Sequence, residues 1–214
     1  MSRSLSSRNW LKRHINDAYV QQAQKDGYRS RAAYKLLEIQ AKDRLLRPGQ
    51  RIIDLGAAPG SWCQVASKSM GNNGYIVGLD LLPIDPIPGV HLLQGDFRET
   101  AILAELSAYI EQKPVDLILS DLAPNFTGIN AVDQPRAMYL CELALELCQI
   151  VLKQNGALIV KVFQGSGFAE YLKALREHFQ RVVSRKPKAS RVESSEFYLV
   201  ATGFKHAGSM ELKV

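Results

Sequence analysis

Apolar residues follow two rhythms along this chain. Short continuous apolar runs alternate with segments whose apolar positions recur every three to four residues. The runs predict strands at Arg51–Leu55, Tyr75–Asp80, Val90–Gln94, Val115–Ser120 and Ala157–Phe163. The periodic segments predict helices at Ser61–Met70, Thr100–Ile110, Gln134–Leu152 and Gly167–His178. A further helix is expected over 30–43, where Ala33, Leu36, Leu37 and Ala41 have helical spacing and Ser30 can cap the first turn. Two late strands, Arg181–Ser184 and Glu196–Thr202, flank a basic loop. Runs that are apolar at every position belong to a parallel sheet covered on both faces. The expected fold is therefore α/β: a doubly wound, Rossmann-like, seven-stranded, mostly parallel sheet with one antiparallel strand.

The chain has 214 residues, enough for one large α/β domain with a full core. With no internal repeat and no low-complexity linker, it reads as a single domain over 1–214. Within it, a basic arm is expected over 1–30 and a loose tail over 205–214. No apolar stretch reaches the roughly 18–20 residues of a membrane span, and the N-terminus lacks the apolar core of a signal peptide. The expectation is a cytoplasmic, monomeric protein without membrane contact. Cys63, Cys141 and Cys148 form no C-x-x-C and read as reduced core thiols, and the four scattered histidines suggest no metal site.

The net charge of +6 is unevenly spread. Residues 1–51 hold 12 Lys/Arg against 4 Asp/Glu, and the remainder holds 15 against 17. A second basic run occupies 181–191. A basic arm on a neutral body suggests a polyanionic partner, and the interleaved Trp10, Tyr19 and Tyr28 tilt this toward nucleic acid over a merely solvated face. Arg3, Arg8, Lys12, Arg13, Arg29, Arg31, Lys186, Lys188 and Arg191 are the candidate nucleic-acid-binding residues, expected to hold phosphates rather than read bases.

The most informative segment is Arg51–Gln64. Its strand breaks at Gly56–Gly60 and a helix follows, the place where α/β sheets bind nucleotide-like ligands. The loop is not G-x-G-x-x-G, and Asp54 stands two residues before Gly56. A pyrophosphate is poorly served by that carboxylate, whereas a ligand with a cationic amino-acid end is well served. This favours S-adenosylmethionine over NAD, held by Asp54, Gly56, Pro59 and Gly60. Asp80, 20 residues after Gly60, is placed to take ribose hydroxyls. Asp96, in QGDF, is placed for an adenine edge or for a helix cap.

Lys161 stands in the otherwise apolar strand ALIVKVF. A buried ammonium needs a partner or a chemical role, unless it snorkels from the strand end. Asp121, in LILSDLAPN, is the evident partner. An Asp suits a lysine pair and a hydroxyl substrate better than the Asn that amine methyltransferases place in such loops. Lys35 and Glu196 can complete the site, although each alone reads as an ordinary surface or strand-edge charge.

Together, YRSRAAYKL, DLGAAPGSW, SDLAPN, KVFQG and SRVESSEFYLV span nearly the whole chain and resemble the FtsJ family of ribosomal RNA 2′-O-ribose methyltransferases. The resemblance implies a Rossmann-like S-adenosylmethionine methyltransferase fold. It implies a catalytic tetrad at Lys35, Asp121, Lys161 and Glu196, and cofactor contacts at Gly60, Trp62, Asp80, Asp96 and Asp121. It also implies a substrate, a uridine ribose in the peptidyl-transferase region of 23S rRNA, with assembled large subunits preferred over naked RNA.

In that reading Lys161 removes the hydroxyl proton, which requires its neutral form. Burial and Lys35 favour that form, and Asp121 opposes it. Alternatively, Lys161 stays charged and Asp121 accepts the proton. Other readings are a methyltransferase acting on tRNA, a small molecule or a protein, a non-enzymatic RNA-binding assembly factor, and an NAD oxidoreductase. The concentrated N-terminal charge, Lys161 in a core strand and the absence of G-x-G-x-x-G weigh against the last three classes.

Overall fold

The structure is a computed structural model that describes residues 17–111, 113–191 and 194–205. Arg3, Arg8, Lys12, Arg13, Trp10 and nearly all of the expected C-terminal tail lie outside the described residues.

The elements follow the expected alternation. Helices α1 (Ala18–Lys25) and α2 (Ala32–Asp43) precede β1 (Arg51–Leu55), α3 (Ser61–Met70), β2 (Tyr75–Asp80) and β3 (Val90–Gln94). Then come α4 (Thr100–Tyr109), β4 (Val115–Ser120), α5 (Asn130–Val151), β5 (Leu152–Phe163), α6 (Phe168–His178), β6 (Phe179–Arg185) and β7 (Glu196–Phe204). The seven strands form one sheet in the order β3-β2-β1-β4-β5-β7-β6. β7 runs antiparallel to both neighbours, and the other strand pairings are parallel.

Side chains alternate across the sheet. One face, with Ile53, Val77, Ile118, Leu158 and Val160, packs on α5 and α6. The other, with Ile52, Ile76, Leu117, Leu119, Ile159 and Tyr198, packs on α2 and α3. Asp54, Lys161 and Glu196 share the parity of this second face, beneath the N-terminal helices. Burial on both faces accounts for the uninterrupted apolar strands, at roughly 25 cal/mol per Å² of apolar surface removed from water.

Three departures from expectation exceed two residues. The first half of the arm is undescribed, but 18–25 is helical, capped by Asp17, which accepts from the Tyr19 N–H at 3.0 Å. Its sequence, AYVQQAQK, buries only Ala23 and so shows little apolar periodicity. α5 starts four residues before the expected Gln134, because Asp133 accepts hydrogen bonds from the Thr127 N–H and hydroxyl and from the Gly128 N–H and so ties the helix start to the preceding loop. β5 starts at Leu152, with a register shift opposite Val115–Leu117 that takes up the polar Lys153–Gly156 segment, where Asn155 has φ 63°.

Candidate active site

The β1–α3 loop forms the floor of the site. Gly56 (φ 73°) lies so close to the next loop that a Cβ would sit 3.0 Å from Leu122 Cδ2. At Gly60 (φ 106°) a Cβ would come within 2.6 Å of Ile87 and 2.9 Å of the Arg29 guanidinium. Both positions therefore require glycine. Above this loop opens a cleft of about 590 Å³, lined among others by Gly56, Asp80, Asp96, Asp121, Leu122 and Tyr139.

The carboxylates around the cleft differ in their engagement. Asp80 accepts from the Ala58 N–H and the Leu82 N–H, both at 2.9 Å, which fixes its orientation at the end of β2. Asp96 is paired with Arg98, which holds its carboxyl below the ordinary range. Of the two options for Asp96, the helix cap is not realised: α4 starts at Thr100, with Glu99 at the cap position. Asp54 is fully buried beneath the loop, where it accepts from Cys63 Sγ at 3.1 Å while its Oδ1 has no partner. Burial, reinforced by the nearby Asp121 and Asp80, pushes its pKa up to about 7. Burial and Asp54 together raise the Cys63 thiol.

Trp62 occupies a different place from its neighbours in the loop. Its side chain is 2% exposed, its indole donates to the Ala32 carbonyl at 2.8 Å, and its ring lies 5.6 Å from Tyr198. The indole is thus a packing group between α2, α3 and β7, and only the backbone of Trp62, at the start of α3, is left to meet a ligand. Pro59 is exposed on the loop, joined to Ala58 by a cis peptide bond, and its carbonyl accepts from Arg29 at 2.9 Å.

At the rim, strand register assembles the charged residues. Ser120 pairs with Val160 and Lys161 with Tyr198, so Asp121, Lys161 and Tyr198 fall in one row across three strands. The Lys161 ammonium lies 2.8 Å from Asp121 Oδ1 and donates to the Asp121 carbonyl at 2.7 Å. The Tyr198 hydroxyl donates to the same Oδ1 at 2.6 Å. Lys35, from α2, reaches over the sheet edge to Glu196 Oε1 at 2.6 Å and lies 5.8 Å from the centre of the Tyr198 ring. The four expected charges thus converge, with Tyr198 linking the two pairs. Sequence reasoning misses Tyr198, which reads as an ordinary aromatic in SSEFYLV; its alternation with Glu196 is the available signal.

The expected RNA-binding residues divide. Arg29 is engaged within the protein instead: its guanidinium donates to the carbonyls of Pro59, Asp85 and Pro86 at 2.7–2.9 Å and ties the β1–α3 loop to the segment after β2. The neighbouring Ser30 hydroxyl meets the Ser61 hydroxyl at 2.7 Å, and Gln64 bonds the Arg29 N–H and the Gly27 carbonyl. Arg31 is likewise committed, paired with Asp17 and donating to the Ala189 carbonyl. Lys186 donates to the carbonyls of Ser194 and Glu196. Lys188 and Arg191 are exposed. Glu38 accepts the Lys188 and Ala189 N–H groups, which brings the late basic loop against α2. A second depression of about 360 Å³, lined by Ser30, Arg31, Lys35, Arg191, Ser194 and Glu196, continues from the charged rim.

A cleft at the carboxyl ends of parallel strands, a glycine loop with a carboxylate beneath it, and a sheet whose penultimate strand is antiparallel define the Rossmann-like class of methyltransferases. A fibrillarin from Aeropyrum pernix, solved with natively bound S-adenosyl-L-methionine, shares this fold (TM-score 0.54, 16% identity, 82% of this chain and 75% of that one). The chain belongs to the FtsJ-like methyltransferase family, whose model matches residues 28–204. It is 57% identical over 203 residues to the ribosomal RNA large subunit methyltransferase E of Chromobacterium violaceum, covering 95% of this chain and 99% of the relative. It is 55% identical over 205 residues to the Pseudomonas aeruginosa protein of the same name, covering 96% and 99%. A ribosomal RNA methyltransferase structure from Plasmodium falciparum superposes with TM-score 0.72 at 33% identity, covering 83% of this chain and 98% of that one. No helix of the described residues is long and apolar enough to cross a membrane, and the described residues contain no group of metal-ligating side chains.

Proposed function

We propose that this protein transfers a methyl group from S-adenosylmethionine to a ribose 2′-hydroxyl of large-subunit ribosomal RNA, a uridine in the peptidyl-transferase region of 23S rRNA, in the cytoplasm. The observation that carries the reading is the row Asp121–Lys161–Tyr198 at the lip of the carboxylate-lined cleft, with Lys35 and Glu196 beside it. The names of the 55–57% identical relatives support the same substrate class.

The cleft suits a cationic nucleoside. Asp80 is oriented toward ribose hydroxyls at the end of β2, and Asp96 lies further along the wall by Phe97. The unpartnered Asp54 Oδ1 under the Gly56–Gly60 loop suits a positively charged amino-acid end. Bound S-adenosylmethionine supplies an electrophilic methyl on a sulfonium. The chain's own residues would aim one oxygen and take one proton: as the hydroxyl oxygen took up the methyl that the bound sulfonium would supply, its proton would pass to Lys161 Nζ. Positioning supplies about 7–11 kcal/mol of such barriers and a general base about 10²–10⁴ in rate. Nζ has three bonding positions, and the Asp121 carbonyl and carboxylate take two of them, leaving one for the substrate hydroxyl. Asp121, already receiving Lys161 and Tyr198, acts as the orienting group. Lys35 and Glu196 border the depression that continues toward Arg191, where the sugar–phosphate chain runs.

Titration calorimetry with S-adenosylmethionine and with NAD, followed by methyl transfer to unmodified large subunits and to free rRNA, tests this reading. Binding of S-adenosylmethionine alone, with transfer to rRNA, is expected; binding without transfer to either RNA form overturns the substrate assignment.

A further inference from the structure

Five large apolar side chains are exposed among the described residues, and three of them, Leu81, Leu82 and Tyr139, line the cofactor cleft. Phe126 and Ile129 do not. Phe126 is 55% exposed and stands on the loop that leaves Asp121. Residues Leu122–Asn125 of that loop line the cleft, whereas the Phe126 ring is not part of that lining and packs in a T-shaped contact with Phe163 at 5.2 Å.

Phe163 ties this aromatic to the charged row. It follows Lys161 by two residues on β5, so both share a sheet face, and it pairs in register with Glu196. The Phe126 ring thus packs on the residue that lies one same-face position beyond the proposed base and opposite Glu196. Its loop is also pinned: Asp133 accepts from the Thr127 N–H, the Thr127 hydroxyl and the Gly128 N–H, all at 2.9 Å, and the Ile129 N–H bonds the Thr127 hydroxyl. A large aromatic face held toward solvent by a capped loop has no role in the core.

We propose that Phe126 is the platform on which the base of the target nucleotide stacks. The proposal rests on the ribose-methylation reading above. In a nucleotide the base is attached to C1′, the carbon next to the one that bears the 2′-hydroxyl, so an oxygen presented to Lys161 brings its base to the immediate surroundings of that lysine. The charged rim serves the sugar and phosphates, and Phe126 does not line the cofactor cleft. Phe126 supplies what those groups lack, an exposed π-face beside the reacting position. Stacking on such a face tolerates any base and is worth a sizeable fraction of single-strand affinity. Phe126 is accordingly a positioning residue: it holds the nucleotide and touches none of the reacting atoms.

The test compares Phe126→Ala, Phe126→Leu and Phe126→Trp in methyl transfer from labelled S-adenosylmethionine to unmodified large subunits, with calorimetric cofactor affinity alongside. Leu keeps an apolar contact with Phe163 and removes the aromatic face, so a purely structural role predicts wild-type behaviour for it. We expect Leu and Ala alike to lose on the order of 10- to 100-fold in kcat/KM for the RNA, mostly through KM. Trp should stay near wild type, and cofactor affinity should be unchanged in all three. Wild-type kcat/KM for Phe126→Leu overturns the platform, as does an equal loss in Phe126→Trp. A wild-type protein that transfers no methyl to ribose overturns the functional reading instead, before any variant is compared.

Discussion

Lys161 and Tyr198 face each other across β5 and β7 and converge on one oxygen, Asp121 Oδ1, the ammonium at 2.8 Å and the phenol at 2.6 Å. Burial and the two neighbouring carboxylates, Asp121 and Glu196, raise the Tyr198 hydroxyl well above its ordinary pKa, so it remains a donor at any working pH. Asp121 is held between two fixed donors, and Lys161 is held by a carboxylate that cannot rotate away.

Removing the Tyr198 donor therefore loosens Asp121 without removing a charge. Tyr198→Phe should lower kcat about 5- to 30-fold, the equivalent of about 1–2 kcal/mol for a hydrogen bond to a charged group, and leave cofactor affinity intact. Steady-state kinetics with calorimetry distinguishes this from a general loss of folding, which would lower both.

Lys161→Arg keeps the positive charge and discards the proton acceptor, because a guanidinium stays protonated. The variant should lose about 10²–10⁴ in kcat under single-turnover conditions. Near-full turnover would move the proton to Asp121.

Arg29 braces the β1–α3 loop from within the protein, so its loss should tell on cofactor binding rather than on RNA binding. Arg29→Lys cannot reach the carbonyls of Pro59, Asp85 and Pro86 together, and it should weaken S-adenosylmethionine binding about tenfold, the equivalent of losing one or two hydrogen bonds to a charged group. RNA affinity in a filter-binding assay should be unchanged.

Asp54 links both stability and cofactor binding to pH. Its folded-state pKa of about 7 lies above the unfolded value of 3.8, so between these values the folded state retains a proton that the unfolded state releases. The linked contribution favours the folded state below about pH 4 and is lost as pH rises toward 7, amounting to as much as about 4 kcal/mol in all. Asp54→Asn should flatten that part of the denaturation-versus-pH curve. A cationic ligand above Asp54, near Asp80 and Asp121, favours the ionised form, so S-adenosylmethionine should bind more tightly to wild type at pH 8 than at pH 6, and Asp54→Asn should lose the difference.

Lys188 and Arg191 are exposed and remain the candidates for the RNA face; on that assignment transfer to subunits should fall steeply between low and moderate ionic strength as counterions compete for these contacts. Salt-insensitive kcat/KM would remove the basic loop from the interface.

Much of this architecture is legible in the sequence because β1, β2 and β4 are buried on both faces through their centres and are therefore mostly apolar there; the bounds of β1 to β4 coincide with those expected. Lys161 is equally legible, since an ammonium in an apolar strand demands an explanation. What escapes the sequence depends on tertiary direction. Arg29 reads as a phosphate binder until its guanidinium is seen on three backbone carbonyls, and Trp62 reads as a loop contact until its indole is seen packed on Tyr198. Charge and aromaticity name the residue's chemistry, but only packing says which way it points.

The position of the transferred methyl decides between a ribose and a base as the acceptor. Unmodified large subunits are incubated with labelled S-adenosylmethionine and either wild-type protein or Lys161→Ala, and the RNA is digested to nucleosides and separated. Label in a 2′-O-methylated uridine with wild type, and its loss with Lys161→Ala, is the expected result. Label on a base, or a 2′-O-methyl product undiminished by Lys161→Ala, would contradict the assignment of Lys161 and its row as the methyl-transfer site.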